Sequence, residues 1–140
     1  MSDYRKILVA VEVFSSYQAV LQKALKLAKQ ASDISLIYVT LPQIYFEPYG
    51  AALGSDAVSD IRDQAIAKLQ EMAQQHGIPA AQIYTPVGDP ADEIHDRAGQ
   101  LQADLIVIGT HGRSGLKLLL GSTANAVLHG VKCDVLAVKI

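Results

Sequence analysis

Apolar positions along the chain fall into short continuous runs, separated by longer stretches in which they recur every three or four residues. The first run is Ile7-Leu8-Val9-Ala10-Val11, the pattern of a strand covered on both faces. Ser15 and Ser16 then offer an N-cap for a helix that lines up Val20, Leu21, Ala24, Leu25 and Ala28. Ile34 to Val39 reads as a second strand. From Asp56 a helical pattern carries Ile61, Ala65, Leu69 and Met72 at spacings of four, four and three, and Gly77 and Pro79 stop it. Ala81 to Val87 predicts a third, weaker strand around Ile83-Tyr84-Thr85. Asp89-Pro90 opens a helix with Ala91, Ile94, Ala98 and Leu101 on one face, Asp serving as N-cap and Pro as the first helical residue. Leu105 to Ile108 is a fourth strand, wholly apolar. A short helix starting at Gly121 or Ser122 carries Ala124, Val127 and Leu128, closes at His129-Gly130, and leads to a fifth strand, Val135 to Val138.

Strands of this kind alternating with amphipathic helices make βαβ units, hence a parallel sheet with helices on both faces. Five strands and four helices form one doubly wound α/β sandwich over residues 1–140, with no repeat or linker to divide it. In such sheets ligands sit beyond the C-terminal ends of the strands, where strand order reverses. The loops after Val11, Val39, Val87 and Ile108 are therefore the ones to read for chemistry. The stretch from Leu41 to Ser55 holds Pro42, Pro48, Gly50 and Gly54 without a sustained period. Its place after the second strand predicts a mobile flap beside the cleft.

Composition narrows the function classes. The 140 residues are half hydrophobic, enough for one core, and carry 12 Lys plus Arg against 14 Asp plus Glu, a formal charge of −2. A near-neutral chain has no broad electrostatic attraction for nucleic acid or an anionic membrane. No apolar run approaches the ~18–20 residues of a spanning helix, and the segment after Met1 does not read as a signal peptide. With no Trp and two Phe, base-stacking modules are disfavoured. A single cysteine, Cys133, excludes an internal disulfide framework and a cysteine-rich zinc site, and a cytoplasmic setting is expected. Cys133 reads as a small apolar group at the start of a buried strand. His76, His95, His111 and His129 are scattered without metal-ligand spacing.

The loop after the fourth strand, Gly109-Thr110-His111-Gly112-Arg113-Ser114-Gly115, continues through Lys117 to Gly121-Ser122-Thr123. Glycines let a backbone take positive φ and approach a ligand closely. Gly121-Ser122-Thr123 opens a helix whose free N–H groups favour phosphate, and Arg113 and Lys117 bring two cations into the loop. The alternative is a set of turn glycines, a helix cap and two solvated cations. The loop is not a Walker A: five residues separate Gly115 from Gly121, and no Gly-Lys-Ser/Thr follows. No G-x-G-x-x-G follows the first strand, and Ser122 lacks the second glycine of a nucleophile elbow.

These residues together resemble the universal stress protein family. The resemblance rests on Ile7 to Val11, Tyr38-Val39, Val87-Gly88-Asp89-Pro90, Asp104 to Gly109 and the block from Gly109 to Val138, and covers essentially all 140 residues. It implies a Rossmann-like fold of strand order 3-2-1-4-5, homodimers, a cytoplasmic stress role, and ATP binding, with magnesium, in one subset. That subset carries Gly-x2-Gly-x9-Gly-Ser/Thr. Gly109 and Gly112 match its first half, while eight residues separate Gly112 from Gly121, and Glu12 stands where the subset usually has Asp. By this resemblance Val39 would meet adenine through its backbone, with Ala10 and Val11 lining the cleft and Glu12 toward the ribose or metal. Gly109, Gly112, Arg113, Gly121, Ser122 and Thr123 would surround the phosphates. No catalytic residues are marked by spacing, so any ATPase activity is expected to be weak. The other reading is a stress-response dimer of the same family that binds no nucleotide.

Two other five-stranded folds fit poorly. A response-regulator receiver needs paired acids after the first strand, where Glu12 stands alone, and flavodoxin needs a Ser/Thr-rich phosphate loop where Phe14-Ser15-Ser16 stands. In the order 3-2-1-4-5 the fifth strand is an edge. Val135, Leu136, Ala137 and Val138 are apolar on both faces, so antiparallel pairing with a second copy is expected to form the homodimer.

Overall fold

The apolar runs become strands because each is sandwiched between helices. The computed structural model describes residues 4–15, 17–42, 57–110 and 122–140. Its strands are β1 (Ile7–Ala10), β2 (Ile34–Ile37), β3 (Ile83–Tyr84), β4 (Leu105–Gly109) and β5 (Asp134–Val138). They form one sheet, all parallel, in the order β3-β2-β1-β4-β5. The helices described are α1 (Gln18–Leu27), α2 (Ala57–His76), α3 (Pro90–Leu101) and α4 (Ser122–Leu128).

Strand alternation divides the core in two. Ile7, Val9, Leu36, Leu105 and Val107 face one side, where Val20, Leu21 and Ala24 of α1 and Ala65, Leu69 and Met72 of α2 cover them. Leu8, Ile37, Ile106 and Ile108 face the other, against Ala91, Ile94 and Ala98 of α3 and Ala124 and Val127 of α4. The three-layer doubly wound α/β architecture expected from the pattern is the one observed. At the N-terminal edge of the sheet the Asp104 carboxylate accepts the amides of Arg5 (2.9 Å) and Lys6 (3.1 Å). This clamps the chain just before β1 to the chain just before β4.

Local differences from the sequence reading have local causes. The helix after β1 is not capped by Ser15. Ser15 donates its amide to the Glu12 carbonyl (3.0 Å) in a turn, and α1 begins after Tyr17 with no side-chain cap. Ser16 itself lies outside the described residues. β1 ends at Ala10, although the Val11 amide still reaches the Ile37 carbonyl at 2.9 Å. Beyond Ile37 the second strand pairs on its β3 side, Tyr38 with Tyr84 (3.0 Å) and Thr40 with Pro86 (2.9 Å). Cys133 precedes β5 rather than starting it and is half-buried; Asp134 begins the strand and accepts a 2.7 Å bond from the Tyr4 hydroxyl. Asp89 caps α3 as expected, accepting the Asp92 amide at 3.1 Å with Pro90 in the first turn. Residues 43–56, and with them most of the expected flap between Leu41 and Ser55, lie outside the described residues.

Candidate functional site

The site is built from the carboxyl ends of three neighbouring strands. β1 lies between β2 and β4, so Ala10, Val11 and Glu12 are flanked by Val39 on one side and Gly109 on the other. Val11 and Val39 are buried, while Ala10 and Glu12 are half-buried. Ala10 and Val39 pack on the α3/α4 side of the sheet. Ser122 and Thr123 form the first turn of α4, whose C-terminal end returns toward β5. Gly112, Arg113 and Gly121 lie outside the described residues, as do His111 and Lys117.

The loop's root is held by contacts the sequence did not reveal. Thr110 donates its amide to the Val138 carbonyl (2.8 Å), and its hydroxyl accepts the Ile140 amide (3.4 Å). A Cβ at Gly109 would stand 2.8 Å from Ile140 Cδ1 and 3.4 Å from Val20 Cγ2. A larger residue at this position would require the end of the Ile140 side chain to shift. Among the described residues the positive-φ glycines are Gly77 and Gly130, both just beyond helix ends. On the helix side, His95 Nε2–H donates to the Val127 carbonyl at 2.6 Å, tying α3 to α4. Its position next to Ile94, on the buried stripe of α3, was the only available signal.

At the end of β2, Thr40 bridges to Val87, and both its backbone groups are used: its amide by Pro86 and its carbonyl by Gly88 (3.0 Å). Its side chain is only 1% exposed, and its hydroxyl has no hydrogen-bond partner among the described residues. A polar β-branched residue closing an apolar run marks this position in the sequence. Nearby, Phe14 is 47% exposed, edge-on to the buried Tyr38 ring at 5.7 Å, with Lys68 Nζ 5.7 Å from the Phe14 centroid. No group of three His, Cys, Asp or Glu able to hold a metal ion occurs among the described residues, and no described helix is long and apolar enough to cross a membrane.

Cys133 lines a groove of about 430 Å³ between α3 and the turn after α4, away from these strand ends. Burial pushes its thiol above the ordinary cysteine value, and the Asp134 and Asp104 carboxylates add to the rise. The unfolded chain therefore loses this proton first, and stability falls as pH rises from the ordinary thiol value toward the native one. Iodoacetamide at pH 8 is expected to alkylate native Cys133 more slowly than the urea-unfolded chain. Equal rates would contradict the assignment.

An open parallel sheet of order 3-2-1-4-5, with helices on both faces and a glycine-rich loop after the fourth strand, defines a Rossmann-like α/β protein whose strand order reverses between β1 and β4. Residues 3–139 match the model of the universal stress protein family, and the chain belongs to that family. It is 41% identical to universal stress protein A homolog 2 of Coxiella burnetii, over 100% of this chain and 98% of that protein. The fold is that of UspA from Lactobacillus plantarum, with a TM-score of 0.79, 24% identity and 99% of each chain covered. A universal stress protein solved in complex with cAMP is 26% identical, with a TM-score of 0.64 and 98% of each chain covered.

Proposed function

We propose that this protein binds an adenine nucleotide, ATP with magnesium first among them, at the carboxyl ends of β2, β1 and β4, and acts as a dimeric regulator in a cytoplasmic stress response. The observation that carries the reading is the convergence of Ala10, Val11, Glu12, Val39 and Gly109 on the strand ends flanking the order reversal between β1 and β4. The relative solved with cAMP supports it. In this reading Val39 meets the base and Glu12 faces the ribose or metal. Gly109, Gly112, Arg113, Gly121, Ser122 and Thr123 enclose the phosphates. The local chemistry fits such a ligand: the half-buried Glu12 and the orphaned Thr40 hydroxyl put polar groups at an otherwise apolar edge. Magnesium would be held by the phosphates and Glu12. Spacing along the sequence marks no base, nucleophile or metal cluster, so any ATP hydrolysis is expected to be weak.

Titration calorimetry with Mg-ATP, ADP and cAMP tests this. Gly121→Glu is expected to weaken binding at least about tenfold by setting a carboxylate against phosphate, with an unchanged circular dichroism spectrum. No heat from wild type at millimolar nucleotide would favour the second reading, a family dimer without nucleotide. Glu12 in the usual Asp position and the eight residues between Gly112 and Gly121 speak for that reading.

Dimerisation is proposed through β5, one of the two edge strands of the sheet. Val135, Leu136 and Ala137 are only half-buried there, and an antiparallel copy would cover them while pairing the open ladder. Light scattering is expected to give roughly 30 kDa, twice the 15.0 kDa chain, and Val135→Asp is expected to halve it. A wild-type monomer at tens of micromolar contradicts the proposal.

A further inference from the structure

A second polar groove, of about 430 Å³, opens at the other end of the sheet, where β1 and β2 begin and α3 ends. Its apolar lining is Ile7, Leu101 and Ala103. Ser35 also lines it, and this is one of two buried polar residues described, 8% exposed in a strand that is otherwise apolar. Its hydroxyl has no hydrogen-bond partner among the described residues. Register places Ser35 beside Leu8, on the α3 face of the sheet. Its hydroxyl keeps contact with the solvent of the groove, so a ligand there could reach it.

The remaining polar groups of the groove divide by whether they are already used. The Asp33 carboxylate accepts the amide (3.3 Å) and the side-chain nitrogen (3.3 Å) of Gln30. Gln82 Nε2 donates to the carbonyls of Ser32 (3.0 Å) and Ile34 (2.7 Å). Asp104, just outside, holds the amides of Arg5 and Lys6 and so fixes where their side chains start. Those two cations are exposed and carry no ion pair among the described residues. What is left unspent is a guanidinium and an ammonium, with the hydroxyls of Ser32 and Ser35 and the Gln100 amide beside an apolar surface. Two cations against one carboxylate, Asp33, that is already engaged by Gln30, with hydroxyl and amide donors nearby, match an acceptor-rich ligand.

We propose that this groove binds a small organic oxyanion, a phosphate monoester or carboxylate, with Arg5 and Lys6 on the charged group and Ser35 on an oxygen nearer the sheet. The site is separate from the strand ends that carry Gly109, and does not depend on nucleotide binding there.

The test is a titration of ¹⁵N-labelled protein with inorganic phosphate, glycerol 3-phosphate and acetate at constant ionic strength. Saturable shifts are expected at the amides of Ile7, Ser35 and Gln82, with Gly109 and Thr110 unmoved. Glycerol 3-phosphate is expected to bind at least about fivefold more tightly than inorganic phosphate, because its carbon body covers the apolar lining. Arg5→Ala and Ser35→Ala are each expected to weaken binding about fivefold or more, and Lys6→Ala supplies a surface substitution that leaves the strands intact. Shifts that stay linear in ligand, an affinity unchanged in all three variants, or shifts confined to Gly109 and Thr110 would each overturn the proposal.

Discussion

Leu8→Ala is expected to cost about 2–5 kcal/mol. Leu8 is fully buried at the centre of the sheet, between Ser35 and Ile106, and joins the cluster roofed by α3 and α4. Removing its branched end leaves a cavity that β1, paired on both sides, cannot close by moving. Ile106→Ala is expected to cost less. Ile106 is just as buried, but it also lines the groove beside Cys133, so water and neighbouring side chains can fill the gap. Urea unfolding should show both as shifts in midpoint with an unchanged slope. Equal losses would mean that the groove gives no relief, and a Leu8→Ala loss below about 1 kcal/mol would contradict the packing described.

Thr40→Val is expected to stabilise the nucleotide-free protein by about 1–3 kcal/mol, against the usual direction for a core substitution. The two side chains share a shape, so the exchange removes the orphaned hydroxyl and leaves the packing intact. Both backbone groups of Thr40 are engaged with the 86–88 segment and do not depend on the side chain. Thr40→Ser is the control: it keeps the hydroxyl, loses a methyl, and is expected to destabilise. Thermal unfolding separates them, since each kcal/mol moves the midpoint by about 2–4 °C in a domain of this size. A lower midpoint for Thr40→Val would show that the hydroxyl has a partner in solution. Natural chains keep such costs where function needs them, and Thr40 lies one residue past Val39.

Much of the architecture was legible because burial on both faces of a parallel sheet leaves a plain trace. Ile7 to Val11 and Leu105 to Ile108 are unbroken apolar runs because alternate residues face helices on opposite sides. The α3 start was legible for a different reason: Asp89 and Pro90 act within one turn, so no distant contact can overrule them. The α1 start was not, because the turn closed by Glu12 and Ser15 took the backbone first. Of the candidate site, Ala10, Val11, Glu12, Val39 and Gly109 fall at adjacent strand ends as the fold class requires. At Gly109 the tertiary structure adds a neighbour no local pattern shows, the end of the Ile140 side chain, thirty-one residues onward.

The sequence by itself determined the element types, the parallel sheet and the loop that carries the glycines, because hydrophobic period, caps and turn residues are local properties of the chain. Tertiary structure alone decided which polar groups are left over. Thr40 and Ser35 look like ordinary strand residues until β3 and α3 close over them, and Arg5 and Lys6 look like solvated cations until Asp104 fixes their backbone at the mouth of a groove. Whether a hydroxyl is satisfied depends on partners brought together from distant parts of the chain, and no pattern along the sequence records that sum.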